Sequence, residues 1–376
     1  MGFQVTPRNA IAFTRASVAL TCSWPPSVRA SKAKLLLFNT LWCIAFISSM
    51  GLLAPLLFAI YEYRKEPIIL GKNVSLFSAV TQVTIKMIVC RVMQRKFQWL
   101  FFEMENFCKD ATDEERVILQ CHVNKYKHAH GFYTLWCFLT TMFVISGPLY
   151  SPREFPTHAK YPFPVERQPF RSIIFLHQSL VGFQVSSGMA IDVQVALLLR
   201  YTAVRFEILA MRLERAKSES ELNACIREHV NLLRYTRSVY HAVRFIVFTT
   251  EITTNVAVIF GSLNLVTRQP LPLKVLYALV VVSASGELFM YAWPADSLIH
   301  QSMRTAANAF NTNWYQKNAR YRRKVYFIML RSQRLEAIQI TGILPQISLS
   351  YYAKFLSTAF SYFTALRVMV EKSDAR

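Results

Sequence analysis

Residues 35–61 read "LLLFNTLWCIAFISSMGLLAPLLFAIY" and hold no Asp, Glu, Lys or Arg. An α-helix needs about 20 apolar residues to cross a bilayer, so this stretch is long enough. It is also too long and too far along the chain for a cleaved signal peptide, and no small-residue cleavage site follows it. It is therefore expected to remain in place as a crossing. Working outward, six more apolar stretches follow, at about 72–93, 130–150, 172–199, 244–266, 272–293 and 347–370. The second and seventh of the set are the weakest by hydropathy.

The composition agrees with a polytopic membrane protein. Hydrophobic residues make up 53% of the 376 residues and charged residues only 17%, with a mean hydropathy of +0.24, too apolar for an ordinary soluble domain. No Gly- or Ser-rich linker or short repeat divides the chain, which predicts one integrated membrane domain.

Lys and Arg are distributed unevenly between the two sides. The N-terminus and the loops after the second, fourth and sixth crossings carry 29 of them, and the opposite side carries 12. The positive-inside rule then predicts a cytosolic N-terminus and, after seven crossings, an extracellular C-terminus. The formal charge of +21 is mostly this asymmetry, and it favours contact with anionic inner-leaflet lipid. No separate basic domain offers itself to nucleic acid. The seven cysteines fall in predicted cytosolic or membrane positions, so no extracellular disulfide is expected, and no spacing points to a metal. The sequon at Asn73 abuts the membrane, which disfavours glycosylation.

The cytosolic pieces carry apolar residues at helical spacing. The stretch from 95 to 130 reads as helix running into the third crossing. The fourth-to-fifth connection reads as two helices with a turn near Lys217–Ser220. Crossings four, five and six are thus expected to project beyond the bilayer and pack together. The second outer loop, "SPREFPTHAKYPFPVERQPF", is proline-stiffened and could form a lid over the outer helix ends. Among polar residues at membrane depth, Lys86 can snorkel to the cytosolic side. Glu287 is the best placed for a buried polar contact, and Asp192 and Glu251 stand beside it as candidates. No HExxH, GxSxG, Walker loop or paired acids appear, so neither an enzyme nor a cofactor is expected.

The last stretch is polar along one side. At 100° per residue Lys354, Thr358, Ser361, Ala365 and Met369 fall within about 80° of one another. That face turns apolar only at Ala365 and Met369, the form of a pore gated by dewetting, which several chains would have to enclose. Alternatively, the hydroxyls bond back to their own helix or to neighbouring helices in a closed bundle.

The C-terminal third carries "NTNWY" at 311–315, "IMLRSQ" at 328–333 and "SYFTALR" at 361–367. These pieces resemble the signature of insect odorant receptors, and "CIREHVNLLRYTRSV" with the Lys86-bearing helix extends the resemblance over nearly the whole chain. Departures stand at Phe310 and Leu335. The resemblance implies an all-α, seven-transmembrane helix bundle with cytosolic N-terminus, extracellular C-terminus and cytosolic helical anchor. Residues 1–318 would hold crossings one to six, and 319–376 the interfacial anchor helix and the pore-lining last helix. Trp314, Tyr315, Arg331 and Gln333 would belong to the anchor interface, and Ala365 and Met369 would be the gate. The short fourth-to-fifth connection implies an odorant-specific subunit of a heterotetrameric, odorant-gated cation channel. Its partners would be an obligate co-receptor subunit, a small volatile ligand and membrane lipid, in the plasma membrane of an olfactory neuron. Ligand-contact candidates, placed by depth, are Val80, Val83, Thr84, Leu139, Met142, Phe143, Phe183, Ser187, Leu279 and Ser283. Rival readings are a receptor of the G-protein-coupled type, opposed by charge and cysteine placement; a gustatory receptor of the same superfamily, opposed by Arg367 and Val368; and a transporter, opposed by the lack of matching halves.

Overall fold

In the computed structural model, residues 5–150, 154–165, 167–267, 270–333, 337–340, 342–343 and 345–374 are described. The side chains of 67–68, 150, 272–273, 276 and 369–374 lie outside that description. In chain order the helices are α1 (Pro7–Ser17), α2 (Lys32–Glu62), α3 (Pro67–Val92), α4 (Gln94–Asp110), α5 (Asp113–Ile145) and α6 (Gly147–Tyr150). They continue with α7 (Phe170–Met189), α8 (Ile191–Arg215), α9 (Glu219–Val266), α10 (Leu271–Phe310), α11 (Ala319–Ser332) and α12 (Leu349–Asp374). The seven expected crossings are α2, α3, α5, the α7–α8 pair, α9, α10 and α12.

Five of these are long and apolar enough to span a membrane: Lys32–Glu62, Ile69–Val92, Phe170–Arg215, Glu219–Val266 and Tyr277–Gln316. By that measure the second crossing is adequate. The third and seventh fall short, α5 because its first half is charged and α12 because of its polar stripe.

Local sequence sets the helix boundaries. The run from 95 to 130 breaks at Ala111–Thr112, where Thr112 and Glu115 form a capping box that starts α5, satisfying N–H groups that the first turn leaves unpaired. Ser218 and Glu221 do the same for α9, so the expected turn lies at 216–218. At 48 residues, α9 is about 72 Å long, more than twice the hydrocarbon thickness of about 30 Å. The projection expected for the fourth to sixth crossings is present. α8, α9 and α10 pack together beyond the membrane, and α11 lies against α10. Most of the largest apolar core is here, including Leu198, Phe206, Leu232, Val239, Ala295 and Val325. This is the end that carries the excess of Lys and Arg, called the basic end below.

α1 was not anticipated from the sequence. Its signal was available in Thr6, whose side chain accepts from Asn9 N, and in Pro7 at the first helical position. Opposite the basic end, residues 154–165 fold over the bundle. Lys160 N donates to Pro55 O at 3.2 Å, Thr157 N donates to Gln178 Oε1 at 3.0 Å, and Ala159 packs with Leu52, Leu56, Val80 and Val181. Asn73 is 1% exposed, so the sequon has no room for a glycan in the folded chain.

Two glycines are required where they stand. A Cβ on Gly188 would meet Val83 Cγ1 at 2.2 Å, so only glycine lets α7 cross α3 this closely. Gly342 takes φ +80° in the break ahead of α12, a left-handed conformation other residues avoid.

Candidate functional site

α7 and α8 are interrupted at Ala190, which places Asp192 in the first turn of α8. A helix start presents free N–H groups and the positive end of the helix dipole, both favourable to a carboxylate. Lys86 reaches it from α3, with Nζ 2.6 Å from Asp192 Oδ1 and 2.7 Å from Glu287 Oε1 of α10. Lys86 and Asp192 have no exposed surface, and Glu287 has 2%. The snorkelling expected for Lys86 does not occur. A folded partner on each side makes burial cheaper than stretching the side chain to the membrane edge.

Neutral donors complete the cluster. Tyr133 of α5 donates to Asp192 Oδ2 at 2.7 Å, Tyr291 of α10 donates to Asp192 Oδ1, and Gln82 of α3 donates to Glu287. Thr250 of α9 lies 3.4 Å from both Gln82 Nε2 and Tyr291 OH. Five helices thus converge on one polar knot in an apolar interior, where charge-assisted hydrogen bonds are strong and unmade ones costly. Sequence reasoning missed Gln82, Tyr133, Thr250 and Tyr291. A signal existed for two of them, because Gln82 and Lys86, like Glu287 and Tyr291, are four apart and share a helix face.

The ten ligand candidates separate into two groups. Val80 packs with Leu52, Leu56 and Val181, and Val83 with Ala45 and Met87. Thr84 donates to Val80 O at 2.7 Å, and Ser187 donates to Ser17 O of α1 at 2.8 Å. Phe183 and Leu279 are half-buried, and Ser283 accepts from Trp136 Nε1 at 2.8 Å. Leu139, Met142 and Phe143 are about half exposed, on the outward side of α5. The structure therefore gathers the α3 and α7 candidates at the α2–α3–α7 contact and leaves those of α5 apart.

α12 rests on α9 and α10 along a narrow seam. Phe355 is buried there, with Tyr351, Tyr352 and Ala359, against Val258, Ala284 and Leu288. Its first turn is tied twice, by Asp296 Oδ1 accepting from Leu349 N at 3.2 Å and by Tyr351 OH donating to Glu251. Lys354, Thr358, Ser361 and Ala365 are all exposed. Thr358 bonds back to Lys354 O at 2.9 Å, and no described hydroxyl on this stripe reaches a neighbouring helix. The side chain of Met369 lies outside the described residues.

The anchor region is held from below. Lys324 Nζ lies 2.7 Å from both Glu219 Oε1 and Asn223 Oδ1, and Tyr321 OH donates to Ala216 O at 3.1 Å. Lys324 holds the Glu219 carboxyl below its usual range. His229 lies about 22 Å along α9 before the apolar stretch begins, and burial, with Arg331 adding, pulls it down to about 4. Trp314 donates its indole N–H to Phe310 O at 3.2 Å. Tyr315 and Phe310 are exposed, Arg331 is half-buried and Gln333 exposed. Leu335 lies outside the described residues.

Comparison with known proteins places this architecture. The profile of the family described as 7tm odorant receptor matches residues 66–360. The chain belongs to the 7tm odorant receptor family. Odorant receptor 13a of Drosophila melanogaster is 23% identical over 322 residues, covering 75% of this chain and 76% of that protein. Odorant receptor 67c of the same species is 23% identical over 184 residues, 47% of this chain, and the match spans only 45% of that receptor's length. The structure of the insect olfactory receptor OR5 from Machilis hrabei superposes with a TM-score of 0.79 at 15% identity, covering 96% of this chain and 97% of that one. The same receptor in complex with eugenol gives 0.81 at 16% identity. These likenesses show the seven-transmembrane fold for this odorant receptor.

Proposed function

We propose that this odorant receptor is the odorant-specific subunit of a heteromeric, odorant-gated, non-selective cation channel in the plasma membrane of an olfactory neuron. The observation that carries the reading is the exposed polar face of α12. Lys354, Thr358, Ser361 and Ala365 are exposed on α12, away from its seam with α9 and α10. A polar face cannot be left against lipid without cost, so further subunits around an axis would enclose it as a pore. Ala365 and, from the sequence, Met369 are its gate. The connection between α8 and α9 is only residues 216–218, which supports assignment as the tuning subunit beside a co-receptor.

A small volatile ligand would enter between the outer helix ends, where the interior is apolar with scattered hydroxyls, the usual make-up of a small-molecule site. It need only bind the open state better than the closed one, by about 1–3 kcal/mol for a typical coupling. Whole-cell recording with and without a co-receptor, against a panel of volatiles, tests the function. Odorant-evoked cation currents that need both chains are expected, and Ala365→Val should alter open probability while surface delivery is unchanged. Responses that require a G protein and carry no current through the chain would overturn the reading.

A further inference from the structure

A pocket lies at the basic end of the bundle. It has a volume of about 340 Å³ and lies under α1, between α4, α5 and α8. Its walls are apolar, with Phe13 of α1, Met104 of α4, Leu119 of α5 and Leu197 of α8 among them. Lys127 and Arg200 interrupt them, and Arg200 is the buried one. Arg200 lines the space, is 5% exposed, and its Nε and Nη1 have no hydrogen-bond partner.

The surroundings explain how this guanidinium is held but not how it is satisfied. Its carbon lies 3.1 Å from the ring centre of Tyr126 and 4.1 Å from that of Trp293. The two rings meet edge to face and supply cation–π attraction to the guanidinium, but Nε and Nη1 find no hydrogen-bond acceptor there. No carboxylate pairs with Arg200 among the described residues. His130 Nε2, on the same lining, is also buried and without a partner. A positive charge and three unfilled hydrogen-bonding positions therefore meet at an apolar cavity. A buried charge left in that state is costly, which makes the site receptive to a planar anion that can take two N–H bonds at once.

A second observation concerns size. Gly131 lines the cavity, and a Cβ built on it meets nothing within 4 Å. Glycine inside a helix is unfavourable relative to most residues, and no neighbour demands it here, so it leaves room in the cavity itself. The space is many times the roughly 10–15 Å³ that admits one water, so an alkyl chain of medium length can enter it.

We infer that this cavity binds a medium-chain fatty-acid carboxylate taken up from the lipid layer at the basic end, with the carboxylate on Arg200 and the chain along the apolar walls under α1. The test uses the purified full-length receptor in nanodiscs of zwitterionic lipid and radiolabelled decanoate as the probe. Saturable binding is expected, with decanol, which has the same chain and no charge, competing about tenfold or more weakly. Arg200→Gln should weaken decanoate binding by a similar factor. Because that substitution disturbs the contacts with Tyr126 and Trp293, Gly131→Leu serves as the independent variant. Leucine favours the helix over glycine, so the protein should elute as a single species while decanoate binding is lost. Equal competition by decanol, or undiminished binding to Gly131→Leu, would overturn the proposal.

Discussion

Lys86 and Lys354 each interrupt an apolar helix, yet the fold treats them in opposite ways. Lys86 lies between Asp192 and Glu287 with no exposed surface. Lys354 stands exposed on α12 and makes no ion pair among the described residues. The difference lies in the neighbouring helices. Around Lys86, α5, α8, α9 and α10 each contribute a polar side chain at the same depth. At Lys354, α9 and α10 pack along the other side of α12, on Tyr351, Phe355 and Ala359. One lysine is completed within the chain, and the other faces a surface that the chain alone does not cover.

The largest effect is expected from breaking the completed side. Lys86→Met removes the ammonium between two carboxylates and leaves both buried without it. Breaking a buried pair in this way costs about 3–5 kcal/mol, a large share of the stability of a typical folded domain. Thermal unfolding of the purified receptor and its delivery to the cell surface should both fall sharply. A variant as stable as the wild type would mean that the cluster does not hold the bundle.

A finer comparison lies within the cluster. Asp192 accepts from Lys86, Tyr133 and Tyr291, whereas Glu287 accepts from Lys86 and Gln82. Two carboxylates share one ammonium, so neutralising Glu287 leaves a balanced Lys86–Asp192 pair. Glu287→Gln should cost no more than about 1 kcal/mol, and Asp192→Asn about 2–3 kcal/mol. Unfolding midpoints of the two variants, measured side by side, decide the order. A reversed order would make Glu287 the centre of the cluster.

Much of this architecture was legible in the sequence because it rests on local signals. Charge-free runs mark crossings and helical spacing marks the extensions of α8 to α10, whereas the capping box that starts α5 at Thr112 was passed over as continuous helix. The polar stripe of α12 was legible for the same reason, since a helical wheel needs no tertiary information. Lys86 was misread because snorkelling is judged one helix at a time. Its real partners lie 106 and 201 positions away, and nothing along the chain announces that α8 and α10 approach α3 at that depth. The break at Ala190, which brings Asp192 to a helix start, also has no proline to signal it. The divided placement of the ligand candidates has a similar origin, because depth along a helix was read and rotation about its axis was not.

The smallest effect on stability is expected at Lys354. As an exposed side chain with no ion pair among the described residues, its replacement in Lys354→Met should change the unfolding free energy of the single chain by no more than about 0.5 kcal/mol. Its effect should appear only in the assembled channel. If the exposed stripe of α12 lines a cation path, a lysine there opposes the permeating ions, and removing its charge should raise unitary cation conductance. If a partner subunit instead presents an acid to Lys354, the same substitution strips that acid of its counter-ion, and assembly with the partner should weaken while conductance stays near its starting value. Single-channel recording together with co-purification of the partner separates these outcomes. A change in neither would place Lys354 away from both the path and the interface, and the contrast with Lys86 would then reduce to one buried and one lipid-edge lysine.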